Sequence, residues 1–236
     1  MVMRTLSIDT TSMRGSVALT EGDVAVVEYQ NSTPQTHAEN LLSTVDRALS
    51  EAGWEKGDLD AIACALGPGS FTGLRIGLAA AKGIAFSLDI PIAGVSSLKS
   101  LAMNRIDDGK FIVPIIDARR SEVYSAAYRF SSGKLEEVIE ECVLPPDVLI
   151  EKLLECDSET ILVAGGGVLE YQNLFETRLN NRIDIPEEKK ILPCASNLAR
   201  LCLEKLENGG DDLIELVPNY IRRSDAEIGF LGKGGK

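Results

Sequence analysis

The feature that most limits how this chain can fold is an ordered set of elements that occurs twice along it. Residues 4–29 read as three short strands. Arg4–Asp9 alternates through Leu6 and Ile8, Gly15–Leu19 follows a turn, and Val24–Tyr29 follows Glu21-Gly22-Asp23. Leu41, Leu42, Val45, Ala48 and Leu49 then share one helical face, and Gly53 and Gly57 end that helix. The apolar run Ala61–Leu66 suits a buried strand. It delivers the chain to a glycine loop, a helix over 72–88 and a short strand near Pro91–Val95. From Phe111 the order begins again. Strands are expected at Phe111–Asp117, Val123–Phe130 and Leu135–Cys142, then a helix near 146–156. A buried strand at Ile161–Ala164 runs into Gly165-Gly166-Gly167, and a helix near 169–179 follows. Asp9 and Asp117, each preceded by isoleucine at the end of a first strand, lie 108 positions apart.

Self-similarity on this scale predicts two related α/β lobes in one chain, each an antiparallel meander followed by parallel crossover units. That order is the plan of actin-like and Hsp70-like (ASKHA) folds. The N-terminal lobe is expected over 1–105 and the C-terminal lobe over 106–228, with a last helix that packs back on the first lobe. A flexible tail, GFLGKGGK, is expected over 229–236. Pro114 cannot donate to a central ladder, so its strand is expected to be an edge or to begin there.

Composition narrows the function classes. Hydrophobic residues make up 44% of the 236 positions and charged residues 25%, as in an ordinary globular protein. No apolar run reaches the roughly 20 residues that span a bilayer, and MVMRTLSIDT enters strand-like alternation without a signal-peptide core. The expectation is a cytoplasmic protein with no membrane partner. Five scattered cysteines, never spaced CxxC, suit reduced and mostly buried thiols. His37 is the sole histidine, so no imidazole pair can hold a metal, and no cofactor is expected. The net charge of −12 repels a polyanion on average, which leaves Arg119–Arg120 and Arg222–Arg223 as the places for a local basic patch.

Two kinds of site stand out. Asp9-Thr10-Thr11-Ser12 sits where a phosphate-binding hairpin would be in an actin-like ATPase, and Gly165-Gly166-Gly167 where a second phosphate loop would be. Ordinary turn chemistry explains both as well. With Asp117, the residues Asp9, Thr10, Thr11, Gly165, Gly166 and Gly167 form a vestigial nucleotide-site expectation; Asp117 and Arg119–Arg120 are equally readable as a charged pair near the cleft or as solvated turn residues. The loop Gly67–Gly73 lacks the P-loop order, and Ser70 or Thr72 can cap its helix. Gly73, Gly77 and Ala80/Ala81 form a smooth stripe beside Leu74, Leu78 and Phe86. Glycine inside a helix costs about 1 kcal/mol against alanine, so the stripe needs close backbone approach by something. Packing on the chain's own sheet and docking of a second subunit, together with the 36–52 helix, account for it equally.

These residues carry a resemblance. LSIDTTS at 6–12, THAENLL at 36–42, GPGSFTGLRIGLAAAKGIAF at 67–86, VSSLKSLA at 95–102, IIDARRSEVYSAAY at 115–128 and PNYIRRSDAEI at 218–228 are similar to the TsaB (YeaZ) family. The family's members are bacterial subunits required for threonylcarbamoyladenosine on tRNA at position 37. It is a degenerate relative of TsaD, the transferase subunit. TsaD carries a metal-binding HxxxH in the segment matching Val95–Ala102, where this chain has residues such as Ser97 and Leu101. The resemblance implies a non-catalytic protein that binds and stabilises TsaD, enables TsaE association, self-associates as a homodimer when alone and meets tRNA only indirectly. It implies docking through the helices at 36–52 and 72–88, with His37, Leu41, Val45, Gly73, Leu74, Gly77, Leu78 and Ala81 at the contact. The competing class is an actin-like ATP-binding enzyme, an ATPase or kinase, for which Asp9 and Asp117 are the placed carboxylates.

Overall fold

The first two strands are buried on both faces, large apolar side chains on one and small or polar ones on the other, and that division decides which helices cover which side. The computed structural model describes residues 2–12, 14–30, 37–107, 110–156, 160–186 and 192–222. In it β1 (Arg4–Asp9), β2 (Ser16–Glu21) and β3 (Val24–Gln30) form an antiparallel meander. β4 (Ala61–Ala65) and β5 (Ile92–Val95) extend it in parallel, so the order is β3-β2-β1-β4-β5. One face carries Leu6, Ile8, Leu19, Ile62 and Cys64 and is covered by α1 (His37–Ala52) and α2 (Phe71–Leu88). The other is paved with Ala18, Ala61, Ala63, Ala65 and Ala93, which let α7 (Ser196–Glu207) lay Leu198, Cys202 and Leu206 close to the sheet. α2 has the length and composition to cross a bilayer, yet Leu74, Leu78, Ala81 and Ala85 face inward and are buried.

The second half repeats the topology. β6 (Phe111–Arg119), β7 (Glu122–Ser131) and β8 (Lys134–Leu144) form the meander, and β9 (Ile161–Ala164) and β10 (Ile183–Asp184) extend it in parallel. The order β10-β9-β6-β7-β8 is that of the first sheet with β6 in the place of β1. α4 (Pro146–Glu155) stands where α1 does. The expected helix near 169–179 is two helices, α5 (Gly167–Glu170) and α6 (Gln172–Leu179). They break at Tyr171, whose N–H closes on Val168 O while its own carbonyl accepts from Leu174 and Phe175. α3 (Ser97–Ala102), which sequence reading did not resolve as a helix, covers the other face of this sheet with Leu98 and Ala102 against Ile112, Ala126 and Tyr128.

Pro114 corrects an expectation. It lies inside β6, the central strand, opposite Ala164 of β9. The ladder to β7 pairs Ile112 with Tyr128 and resumes at Ile115 with Ser125, so the missing donor falls in a gap of that ladder. The Ser125 hydroxyl donates to Pro114 O at 2.8 Å, which satisfies the carbonyl there.

Beyond β10 the chain returns to the first lobe. Glu28 on β3 accepts from the Ser196 N–H and hydroxyl and from Cys194 Sγ, and Asp211 bridges to Ile92 at the β5 edge. Asn219 N–H donates to Leu66 O at 2.7 Å. Cys64 and Cys202 are buried, whereas Cys142, Cys156 and Cys194 are only partly so, and all five are free thiols. The expectation of mostly buried cysteines therefore holds for two. Burial pushes Cys202 up to about 12, and burial followed by the nearby Glu28 carboxylate pushes Cys194 up to about 11. The expected tail at 229–236 lies outside the described residues.

Candidate functional site

The glycine stripe of α2 faces the chain's own first hairpin. Ser70 caps the helix, its Oγ accepting from Gly73 N–H at 3.2 Å. A methyl group on Gly69 would sit 2.3 Å from Thr11 O, one on Gly73 2.0 Å from Thr10 O, and one on Gly77 2.1 Å from Thr10 Oγ1. Thr10 Oγ1 donates to Gly73 O at 2.7 Å, and Ser70 N–H donates to Thr11 O at 2.7 Å. Close approach is what the glycines provide, and the end of β1 is what approaches.

This revises the docking residues. Gly73, Leu74, Gly77, Leu78 and Ala81 are buried within the first lobe, as are Leu41 and Val45 of α1, so none of these side chains forms an outer face. His37 begins α1, but its side chain lies outside the described residues. The outward face of the helix pair is displaced around α2. Ala79, Gly83 and Phe86 are exposed, Ile76 and Ala80 half-buried, and Leu42 of α1 is exposed. A methyl added at Gly83 would meet nothing within 4 Å. The second small stripe, Ala79/Ala80 to Gly83, is the signal in the sequence that points to this face.

Between the lobes lies a cleft of about 660 Å³. Thr11, Ser12 and Arg14 of the first hairpin line it, with Gly69–Phe71, Asp117–Arg119, Gly166 and Gly167. Asp9 and Thr10 do not line it. They are buried, and Asp9 Oδ1 accepts from Thr11 N–H at 2.9 Å and Thr11 Oγ1 at 2.6 Å. Gly165 and Gly167 are packed on β6, where added methyls would come within 2.5 Å of Ile115 O and 2.7 Å of Asp117 N. Asp117 is the one carboxylate among the described residues lining this cleft. Its Oδ1 accepts from Arg119 N–H at 2.8 Å and its Oδ2 pairs with Arg119 Nη1 at 3.1 Å. Ser97 donates its hydroxyl to Pro68 O, and Leu101 is buried at the cleft wall.

A second cavity of about 550 Å³ adjoins this cleft and shares Gly69, Phe71, Ala118, Arg119 and Tyr124 with it. Arg75 of α2 lies over the Phe71 ring at 3.8 Å and donates from Nε to Tyr220 Oη at 3.1 Å. Arg222 donates to Ala118 O at 2.6 Å and pairs with Glu122. Arg119 at the end of β6 and Arg120 and Ser121 in the turn to β7 have φ of 61°, 57° and 58°, all left-handed. Sequence reading noted the paired arginines but not Arg75, Phe71 or Tyr220. Arg75 and Tyr220 are 145 positions apart, a separation no local pattern reports.

Comparison with known proteins accounts for both lobes. The family of TsaD, tRNA N6-adenosine threonylcarbamoyltransferase, matches residues 30–230. The tRNA threonylcarbamoyladenosine biosynthesis protein TsaB of Bacillus subtilis (strain 168) is 37% identical over 230 residues, covering 97% of this chain and 98% of its own length. TsaB of Escherichia coli (strain K12) is 31% identical over 235 residues, 98% of this chain and 100% of its own. The solved structure of YeaZ from Pseudomonas aeruginosa superposes with a TM-score of 0.76 at 31% identity, over 92% of this chain and 99% of that one. The ethanolamine utilization protein EutJ of Carboxydothermus hydrogenoformans, at 11% identity and a TM-score of 0.54 over 84% of this chain and 89% of its own, shares the fold. That fold is the actin-like two-lobed α/β architecture expected from the internal duplication. By sequence and fold together, this chain belongs to the TsaB family of tRNA threonylcarbamoyladenosine biosynthesis proteins, within the wider TsaD family that matches it over residues 30–230.

Proposed function

We propose that this chain is a non-catalytic subunit of the machinery that makes threonylcarbamoyladenosine on tRNA, binding and stabilising a TsaD transferase subunit and enabling TsaE to associate. The observation that carries the reading is the outward face of α1 and α2. Phe86 is 77% exposed and Leu42 58%, beside a flat strip of Ala79, Ala80 and Gly83. Fully burying one such apolar side chain gains about 1.5–3 kcal/mol, so Phe86 is a suitable anchor and the small residues allow a partner helix to approach. A second copy of the chain would cover the same strip when TsaD is absent. Among the described residues that line the cleft Asp117 is the one carboxylate, and its hold by Arg119 supports the reading of a non-catalytic subunit.

The test is co-purification with TsaD using Phe86→Asp and Gly83→Arg. Both positions face outward, so the melting temperature should stay within a few degrees while capture of TsaD, and with it TsaE, is lost. Undiminished capture by both variants would overturn the docking assignment. A tRNA modification assay with TsaD and TsaE, run with and without this chain, reads the function itself. Full modification in its absence would remove the claim that it is required.

A further inference from the structure

We propose that the 550 Å³ cavity beside the interlobe cleft is a nucleotide-binding site, taking a base together with its phosphates. Four arginines line it, Arg75, Arg119, Arg120 and Arg222, and among its described lining residues there is no aspartate or glutamate. In a chain of net charge −12 this concentration of one sign runs against the composition. Asp117 and Glu122, paired with Arg119 and Arg222 at the edge of the cavity, offset part of this charge, and screening over about 8–10 Å at physiological salt limits the effect of the more distant acidic surface.

The donors are held in place. Arg75 is fixed by its stack on Phe71 and its bond to Tyr220, and Arg222 by Ala118 O and Glu122. Arg119 and Arg120 project from a turn with three successive left-handed residues, a conformation that costs of order 1–3 kcal/mol per non-glycine residue and tends to persist where function requires it. A guanidinium offers five N–H donors in a planar fork that matches phosphate. Phe71, Tyr124 and Tyr220 supply aromatic surface in the same cavity, and planar bases stack on such rings. Its volume falls in the range of small-molecule sites, about 300–1,000 Å³. Phosphate donors beside aromatic rings select a nucleotide, either free or as one residue of an RNA strand.

The site is separate from the docking face. Arg75 and Phe86 stand eleven residues apart on α2, about 16 Å along the helix. Failure of TsaD capture and failure of nucleotide binding would therefore be read from different variants.

The experiment titrates the full chain at 50 mM salt with a fluorescent ATP analogue, and separately with a labelled single-stranded RNA of anticodon-loop length. Saturable binding of either probe is expected. An Arg75→Ala/Arg120→Ala variant should weaken it at least about tenfold, since hydrogen bonds to charged groups are the strong ones. A charge-matched control, Lys134→Ala/Arg178→Ala, removes two positive charges remote from the cavity and should leave binding unchanged. Circular dichroism melting verifies that both variants are folded. Binding of ATP alone identifies a free nucleotide as the ligand. Binding of RNA, with log K falling against log salt by about 0.7 per phosphate contacted, identifies a strand. Binding of neither probe, or equal weakening in the cavity variant and the control, overturns the proposal.

Discussion

Gly73→Ala and Gly77→Ala separate a helix face built for the chain's own hairpin from one reserved for a partner. Were the stripe kept bare for another subunit, alanine at either position would leave the isolated chain more stable by about 1 kcal/mol, the ordinary helix-propensity gain. The structure requires the opposite. At Gly73 the new methyl would lie 2.0 Å from the Thr10 carbonyl oxygen, more than an ångström inside ordinary contact, and a backbone atom cannot rotate away. Separating α2 from the end of β1 is an overpacking strain at the upper end of the usual range, roughly 3 kcal/mol, which lowers the melting temperature by about 6–12 °C for a chain of this size. At Gly77 the obstacle is a side-chain atom, Thr10 Oγ1 at 2.1 Å. Turning that hydroxyl aside breaks its bond to Gly73 O in a buried setting, a loss of about 1–3 kcal/mol that outweighs or cancels the propensity gain. Thr10→Ala removes the obstacle, because the Thr10 Cβ is 3.3 Å away and needs to give only a few tenths of an ångström. Gly77→Ala should then change sign and stabilise, whereas Gly73→Ala should not be rescued. The assay is urea unfolding of the three single and two double variants, read as two double-mutant cycles. A Gly73→Ala protein as stable as the parent, or a Thr10/Gly77 coupling below about 0.5 kcal/mol, would refute the reasoning.

Two further outcomes follow from the same packing. The Cys202 thiol rises from 9.0 to about 12 because it is buried, so above pH 9 the unfolded chain ionises while the folded chain does not. Stability should therefore decline as pH rises, by about 1.4 kcal/mol at pH 10 from this thiol. Cys202→Ala should flatten the decline in urea midpoint between pH 8.5 and 10 by that amount, and an unchanged slope would contradict the burial assignment. Glu28→Ala removes the acceptor for Ser196 N–H, Ser196 Oγ and Cys194 Sγ, which tie the entry of α7 to β3. A loss of roughly 2 kcal/mol is expected, with faster amide exchange at Ala195–Asn197, and full protection there would show that the tie is dispensable.

The paired topology was legible because it depends on local signals. Alternation through Leu6 and Ile8 marks a strand with one face on α1 and α2, and the continuous run at Ala61–Leu66 marks a strand covered on both faces, as β4 is. Pro114 does not force its strand to an edge, because a missing donor constrains one hydrogen bond rather than the placing of a strand, and the gap between Ile112 and Ile115 absorbs it. The glycines of α2 announced a close approach without naming what approaches. Thr10 lies 63 positions from Gly73, and only the parallel pairing of β1 with β4 brings the two together. The cavity arginines were opaque for the same reason, since Arg75, Arg119 and Arg222 come from three separate segments.

The duplication also explains where the chain placed its non-repeated parts. Each sheet has one face covered by its own crossover helices, α1 and α2 on the first and α4 and α6 on the second. The remaining faces are covered by α7 on the first sheet and α3 on the second, and these two helices touch each other. Their contact is polar. Buried Asn197 donates to Ser100 O at 3.1 Å and to Asn104 Oδ1 at 2.7 Å, and Asn104 donates to Leu192 O at 2.8 Å. A buried amide must keep its partners, so this network fixes register between the lobes more tightly than an apolar contact of similar size would. The cleft residues Thr11 of the first lobe and Asp117 and Gly166 of the second are therefore held at a set separation.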